Sequence, residues 1–270
     1  MEKSCSAVVT DSKSILAHLE ETQNRVKSHP TDLNARMQLF SHYCIQAEWN
    51  SAWHQLEIAT KLEPEAKRQC ELYKNLLLSE RLREQILAGE REAAGLQEPQ
   101  PDWIKQLTRA NAYHTAGRHD EGERLRYFAL EAAVSRAGNC DALSDFDWIA
   151  DGDERLGPVC EFIVAGGYRW VPFSQVNRLI TVKPVSLIHL IWAPATLLAH
   201  NQRWQGFIPA RYPVTPDTNE HFKLGRQTVW HDQHGRYTGL GRKMWITGRG
   251  ECSLFEAEDI SFSEKLCDDK

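Results

Sequence analysis

No run of residues in this 270-residue chain approaches the ~20 consecutive apolar positions that cross a bilayer. The opening stretch MEKSCSAVVTDSK holds only a short apolar patch, Ala7 to Val9, and lacks the apolar core of a secretory signal. A soluble cytoplasmic protein is expected, with no membrane partner. Cysteine is sparse and scattered: seven residues, at 5, 44, 70, 140, 160, 252 and 267, with no CxxC. An odd, dispersed set argues against a disulfide framework and against a zinc ribbon. Catalytic signatures are missing as well. The chain has no HExxH, no GxSxG and no GxxxxGK[ST], and the Gly239-Leu240-Gly241 triplet lacks the third glycine of a dinucleotide fingerprint. His231 and His234 stand three apart, but Gly235 follows at once and reads as a turn. Nothing assembles a nucleophile, a base and an oxyanion site. No catalytic residue, cofactor or metal is assigned, and the expectation is that the protein is not an enzyme.

What is present belongs to a globular protein: 41% hydrophobic and 26% charged residues, long enough for one large domain or two modest ones. The net charge of −5 is unevenly spread. Residues 1–150 carry 18 Lys/Arg against 23 Asp/Glu, residues 201–250 carry 8 against 3, and the last twenty carry 2 against 7. In the basic stretch Trp204, Tyr212, Trp230, Tyr237 and Trp245 interleave with the cations. This leaves a nucleic-acid surface as an alternative function. The favoured reading is strands with aromatics turned inward and Arg/Lys outward, so no nucleic-acid partner is assigned. A second alternative is a metal-dependent hydrolase built on DFDWIADGDERLG (145–157), which concentrates five acidic residues. As a calcium loop starting at Asp147 it puts Gly152 correctly at the sixth place, but Ile149 and Pro158 occupy ligand positions. Asp145 and Asp147 are read as capping a turn, with Asp151, Asp153 and Glu154 opening a short helix.

The texture changes near residue 140. Before it the pattern is helical: 12–28 with Ser12 or Ser14 as cap, 31–46 behind Thr31-Asp32, 49–62, 64–88 stopped by Gly89, then a loop over 90–101 and helices over 102–116 and 119–136 split at Gly117. Pro30 to Pro64 spans 34 residues, the tetratricopeptide period. A unit starting at Leu33 puts its packing positions on Leu39, Phe40, Tyr43, Ala52, Leu56, Ala59 and Pro64. Only Arg36 stands where an aromatic is expected. A weaker copy lies at an offset of 70, with Tyr113, Gly122 and Ala129 in register and Arg126 spoiling it. After residue 140 short strands dominate: a hairpin in 162–173 about Gly166-Gly167, a strand over 178–184, a pair over 195–213 about His200 to Arg203, and two or three more over 228–260. Pro172, Pro194, Pro209 and Pro213 place strands at edges or ends. Trp148, Trp170, Trp192, Trp204 and Trp230 are expected in the core, their indole N–H groups reaching partners. The fold class is α+β: an N-terminal α-α superhelix of TPR-like hairpins (12–138) and an irregular, antiparallel β-rich part with short helices (139–262), with room for the two to intertwine. Flexible tails are expected at 1–11 and 263–270.

Four motifs follow one another along the chain: D-W-I-A-D with R-L-G-P (147–158), Y-x-W-V-P-F (168–173), W-A-P-A (192–195) and P-x-R-Y-P (209–213). Behind the helical repeat HPTDLNARMQLFSHYCIQAEWNSAWHQLEIATKLEPEA (29–66), they resemble the ImpE/TagJ family (also called SciE type), accessory proteins of bacterial type VI secretion. The likeness runs from about residue 14 to 260; the polar N-terminal dozen and the acidic tail depart from it. The resemblance implies a cytoplasmic, non-enzymatic adaptor that binds the small tail-sheath subunit through that subunit's N-terminal helical region, with a link in some members to ClpV, the ATPase that recycles contracted sheath. The expected docking face is the first helix of the repeat, with Asn34, Met37, Ser41, Cys44 and Ile45 lining a groove for an amphipathic helix. Within the family-like motifs, Trp148, Arg155, Trp170, Arg211 and Tyr212 are further candidates for partner binding. Arg155 and Arg211 have a structural alternative, pairing with Asp147 or Asp151.

Overall fold

The computed structural model describes residues 14–263, so the tail segments 1–11 and 264–270 lie outside the described residues. Ser263, counted with the tail on sequence grounds, is held, its N–H donating to the Ala137 carbonyl at 2.9 Å.

Helix α1 (Ile15–Ser28) starts at Ser14, whose hydroxyl accepts from the Ala17 N–H at 3.2 Å. It buries Ile15, Leu19, Thr22 and Val26, spaced on one face. Helix α2 (Leu33–Ile45) is capped by Asp32, which also pairs with Arg25 at 2.7 Å. Helix α3 (Trp49–Leu62) lays Ala52, Leu56 and Ala59 against α2, all three without solvent exposure. The small residues let the two rods approach closely, as the repeat spacing requires. Arg36, the misfit of the repeat, is buried and satisfied: its guanidinium donates to the Pro30 carbonyl at 2.7 Å and to Gln55 at 3.1 Å across the hairpin. A 3₁₀ turn at Pro64–Ala66 leads into α4 (Lys67–Leu87), and α5 (Asp102–Thr115) and α6 (His119–Glu131) form a second hairpin. Between α4 and α5 the chain turns at Gly89, which has φ +76°, and an added Cβ there would lie 2.2 Å from the Ala112 backbone nitrogen.

Helix α6 ends at Glu131, short of the expected 136. Arg136 is instead turned inward, donating to the carbonyls of Ser174, Val176 and Ser263 at 3.2, 2.6 and 2.7 Å. A helix continued to 136 could not satisfy those acceptors.

The β part has thirteen short strands: β1 (Gly138–Cys140), β2 (Ser144–Phe146), β3 (Ile149–Asp151), β4 (Val159–Val164), β5 (Gly167–Pro172), β6 (Val176–Thr181), β7 (Trp192–Ala199), β8 (Gln202–Pro209), β9 (Thr228–Asp232), β10 (Tyr237–Gly241), β11 (Met244–Thr247), β12 (Gly250–Ser253) and β13 (Asp259–Phe262). Eight form one antiparallel sheet in the order β2-β1-β13-β6-β7-β8-β4-β5, beside a β9–β10 hairpin and a β12-β11-β3 sheet. One further helix, α7 (Glu220–Lys223), lies in the β8–β9 connection. Pro194 departs from expectation, because β7 is interior to the sheet. It is tolerated at the end of the β6–β7 ladder, where the Pro194 carbonyl still accepts from the Val182 N–H at 3.2 Å and only the proline's own N–H is missing. The edge strand β5 is covered: the Trp170 N–H donates to Ala94 and the Gln100 side chain to the Trp170 carbonyl, both at 3.0 Å, so the 90–101 loop shields the exposed edge. Helices and strands share one apolar cluster, from Phe40 and Leu56 through Leu76 and Leu107 to Trp170, Leu197 and Ile260.

Candidate functional site

Where α4 meets the sheet, the core holds charge. Arg83 donates to both oxygens of Glu161, at 2.6 and 2.9 Å, to Glu80 at 3.3 Å and to the Arg211 carbonyl at 3.1 Å. Glu80 also accepts from the Trp192 indole at 2.8 Å, and Glu161 from Tyr168, which in turn accepts from the Trp170 indole. Lys243 pairs with Glu161 at 2.6 Å and with Asp151, whose other oxygen accepts from Tyr212 at 2.9 Å. Beside them Asp153 takes a two-pronged bond from Arg155 and the Gly239 N–H. Four carboxylates (Glu80, Asp151, Asp153, Glu161) thus pair with three cations (Arg83, Arg155, Lys243), the Arg211 carbonyl joining them, and all but Arg155 are buried. Burial alone opposes ionisation, yet Arg83 and Lys243 hold Glu161 well below its ordinary range. Asp151 goes the other way, pushed up to about 6 chiefly by burial, with Lys243 only partly offsetting it.

This network revises the acidic-cluster reading. Asp151 ends a strand and does not open a helix. Its carboxylate accepts from the Asp153 N–H and that of Asp153 from the Arg155 N–H, which makes a pair of tight turns. Arg155 pairs with Asp153, and neither it nor Arg211 takes up Asp147 or Asp151.

Arg211 has another task. It follows β8, crosses to the end of α2 and donates to the carbonyls of Cys44 and Ile45 at 2.8 and 2.9 Å and to that of Lys223. A cation thereby caps the carbonyl end of a helix from a remote part of the chain. Burial lowers its pKa to about 10, still charged at neutral pH. Cys44 and Ile45 are consequently without solvent exposure, and the 3₁₀ turn at Leu187–Leu190 also packs on α2. The open groove expected along α2 is therefore closed at this end by the protein's own β part. Asn34 is exposed, and Met37 and Ser41 are half-buried. Trp170 and Tyr212 are wholly buried. Of the eight cations in 201–250, Arg211, Lys223, Arg236 and Lys243 are buried, so that stretch is not a basic face.

Trp148 behaves differently from the other motif residues. It is 40% exposed, correcting its core assignment, and Trp204 and Trp230 are only partly buried. The Trp204 indole nitrogen has no hydrogen-bond partner. Trp148 rims a small recess of about 140 Å³ with Leu130, Val134, Ile149, Pro158 and Phe173. Nearby on α6, Tyr127 and Phe128 stand 60% and 52% exposed, with Val134 45% exposed at the rim. An exposed apolar cluster around a recess is the usual form of a protein-docking spot. Nothing in the composition of 127–134 alone marks it; it emerges because α6 stops early and leaves its last turn beside Trp148. A second cleft, of about 630 Å³, opens at the start of α3 between Glu48, Asn50, Arg81, Glu84 and Pro216 and is mostly polar.

A family model described as ImpE protein matches residues 144–261. The type VI secretion system accessory component TagJ of Pseudomonas aeruginosa is 33% identical over 248 residues, covering 90% of this chain and 86% of that protein. This chain belongs to the ImpE/TagJ family. The family fold is present too in a crystal structure of a Vibrio parahaemolyticus protein, which superposes with a TM-score of 0.84 at 23% identity over 93% of this chain and 94% of the other. Within the ImpE/TagJ segment lie the carboxylates Asp151, Asp153 and Glu161 with Lys243, while Glu80 and Arg83 reach it from the helical side. No helix among the described residues is long and apolar enough to cross a membrane.

Proposed function

We propose that this protein is a non-enzymatic, cytoplasmic adaptor of a type VI secretion machine, which binds an amphipathic helical segment of the small tail-sheath subunit and links it to the ClpV recycling ATPase. The observation that carries the reading is the 33% identity to TagJ along nine-tenths of the chain. We favour a docking surface at Trp148 and the last turn of α6, supported by the exposed Trp148 ring at the rim of a recess sized for one apolar side chain and by the exposed Tyr127 and Phe128 on the same helix. The family-like residues Trp170, Arg211 and Tyr212 are buried and Arg155 is paired with Asp153, so their part is in the fold behind the surface, while Asn34, Met37 and Ser41 remain the accessible part of the α2 face.

A pull-down against purified sheath subunits, with and without the N-terminal helix of the smaller one, tests the reading. Helix-dependent capture is expected, and Trp148→Ala is expected to weaken it at least about tenfold. Capture of neither sheath subunit overturns the function. Capture unchanged by Trp148→Ala but lost in Met37→Glu moves the surface to α2.

A further inference from the structure

Two free cysteines from different sheets meet in the core. Cys140 ends β1 of the eight-stranded sheet, and Cys252 lies in β12, an edge strand of the three-stranded sheet. Cys140 stands opposite Ile260 of β13. Cys252 leads to that same strand through a tight turn, in which the Glu256 and Ala257 N–H groups donate to the Ser253 carbonyl at 3.0 and 3.3 Å. The turn folds β12 back toward β1 and sets the Cys252 thiol against that of Cys140. Cys140 and Cys252 are 2% and 5% exposed.

We propose that Cys140 and Cys252 are a reversible redox pair, which oxidised glutathione or a disulfide of its class converts to a cystine joining the two sheets.

Contact supplies the pairing, since a disulfide needs its two Cβ atoms within about 3.5–4.5 Å and forms between side chains that already face each other. Access comes through β12. That strand pairs on one side only, with β11, and its Gly250 and Glu251 are exposed. An edge of this kind opens locally while the large sheet stays intact. In the closed state the pair is protected. Burial, and after it the neighbouring Cys140, push the Cys252 thiol up to about 12, so little thiolate exists near neutral pH. Oxidation therefore follows the opening of β12. The Cys252 thiolate attacks one sulfur of oxidised glutathione, forming a mixed disulfide and releasing one glutathione thiolate. As β12 recloses, the Cys140 thiolate attacks the Cys252 sulfur and expels the second. The two protein thiols give up two electrons and two protons, and one glutathione disulfide becomes two glutathione thiols. The new bond ties β1 to the β11–β12 hairpin. The turn of that hairpin passes Trp148: an added Cβ on Gly248 would lie 3.4 Å from the indole nitrogen.

The full chain, carrying Cys5→Ser and Cys267→Ser, is incubated with oxidised glutathione, denatured in an alkylating agent and mapped by mass spectrometry without reductant. A linked peptide joining Cys140 to Cys252 is expected, with both thiols recovered after dithiothreitol. The oxidised chain is expected to melt at a higher temperature than the reduced one, because a cross-link across so long a loop constrains the unfolded chain. Cys140→Ala is expected to stop at the glutathione adduct of Cys252, and Cys252→Ala to leave Cys140 unmodified. Where either variant fails to fold, the map of the parent chain decides. Both thiols alkylated after oxidation, linkage of either to another cysteine, or a Cys140–Cys252 bond formed only in unfolding urea, overturns the proposal.

Discussion

Arg83 shows what one residue does here. Its guanidinium is buried with three acceptor groups around it, and Glu161 is likewise without exposure. Removing one member strands a charge in the core. Arg83→Met is therefore expected to destabilise the fold by about 3–5 kcal/mol in urea unfolding, while replacing Arg83 and Glu161 together with apolar residues of like volume recovers most of the loss. Asp151 adds a pH dependence of known sign. Its folded pKa of about 6 lies above the ordinary 3.8, so the folded state holds its proton more tightly than the unfolded chain. Its contribution is full below about pH 4 and gone above about pH 6. Glu161, held low, contributes above its ordinary 4.5 and loses that as pH falls. Measured by urea unfolding between about pH 4 and pH 7, the stability of wild type relative to Asp151→Asn is expected to fall as pH rises, most steeply near about pH 5, midway between the unfolded and folded values. From sequence, Asp151 and Asp153 were visible only as acidic residues near glycine. Arg155 is local to Asp153, two positions on, but Lys243 stands 92 positions from Asp151 and Glu161 78 from Arg83, beyond any periodicity.

At the scale of the element, local pattern was a good guide. The helix over 49–62 is there with those bounds, and its Ala52-Leu56-Ala59 stripe is buried. The turns at Gly166 and at His200-Asn201 fall where polar and glycine residues interrupt apolar runs. Local pattern failed where a distant acceptor competed: Arg136 leaves the helical path for three carbonyls, and the 151–157 segment turns tightly in place of coiling. The weak second repeat also gains a reason. Gly122 stands where the first repeat has Ala52, and the His114 ring fills the space the methyl group would take. Gly122→Ala is expected to cost about 1–3 kcal/mol in chemical denaturation, larger than an ordinary glycine-to-alanine change and of opposite sign to the usual helix benefit.

At the scale of the whole molecule, the helical and β parts complete each other's hydrogen bonds and ion pairs. Arg83 on α4 has its partners on β4 and in the loop after β8, and α2 has its last carbonyls satisfied by Arg211. Calorimetry of the full chain is expected to show a single unfolding transition, with helical and β signals lost together. A fragment limited to residues 14–131 is expected to fail to fold, since it strips Arg83 of Glu161 and the Arg211 carbonyl, strips Glu80 of the Trp192 indole and leaves the end of α2 uncapped. Two separable transitions, or a folded fragment, would contradict this.

Residue order alone determined most of the local classes: where most helices begin and stop, where the main hairpins turn, and that α precedes β, but not the end of α6 or the turns after Asp151. Caps, glycines and apolar spacing act over a few positions, and a chain read in one dimension displays them in full. The family, too, was readable from four short motifs. Tertiary structure decided which faces are left free. It buried Cys44, Ile45, Trp170, Arg211 and Tyr212, covered the carbonyl end of the α2 face and left Trp148 beside α6 in the open. Burial depends on what packs against a residue from a hundred or more positions away, and that information exists only once the chain has closed on itself.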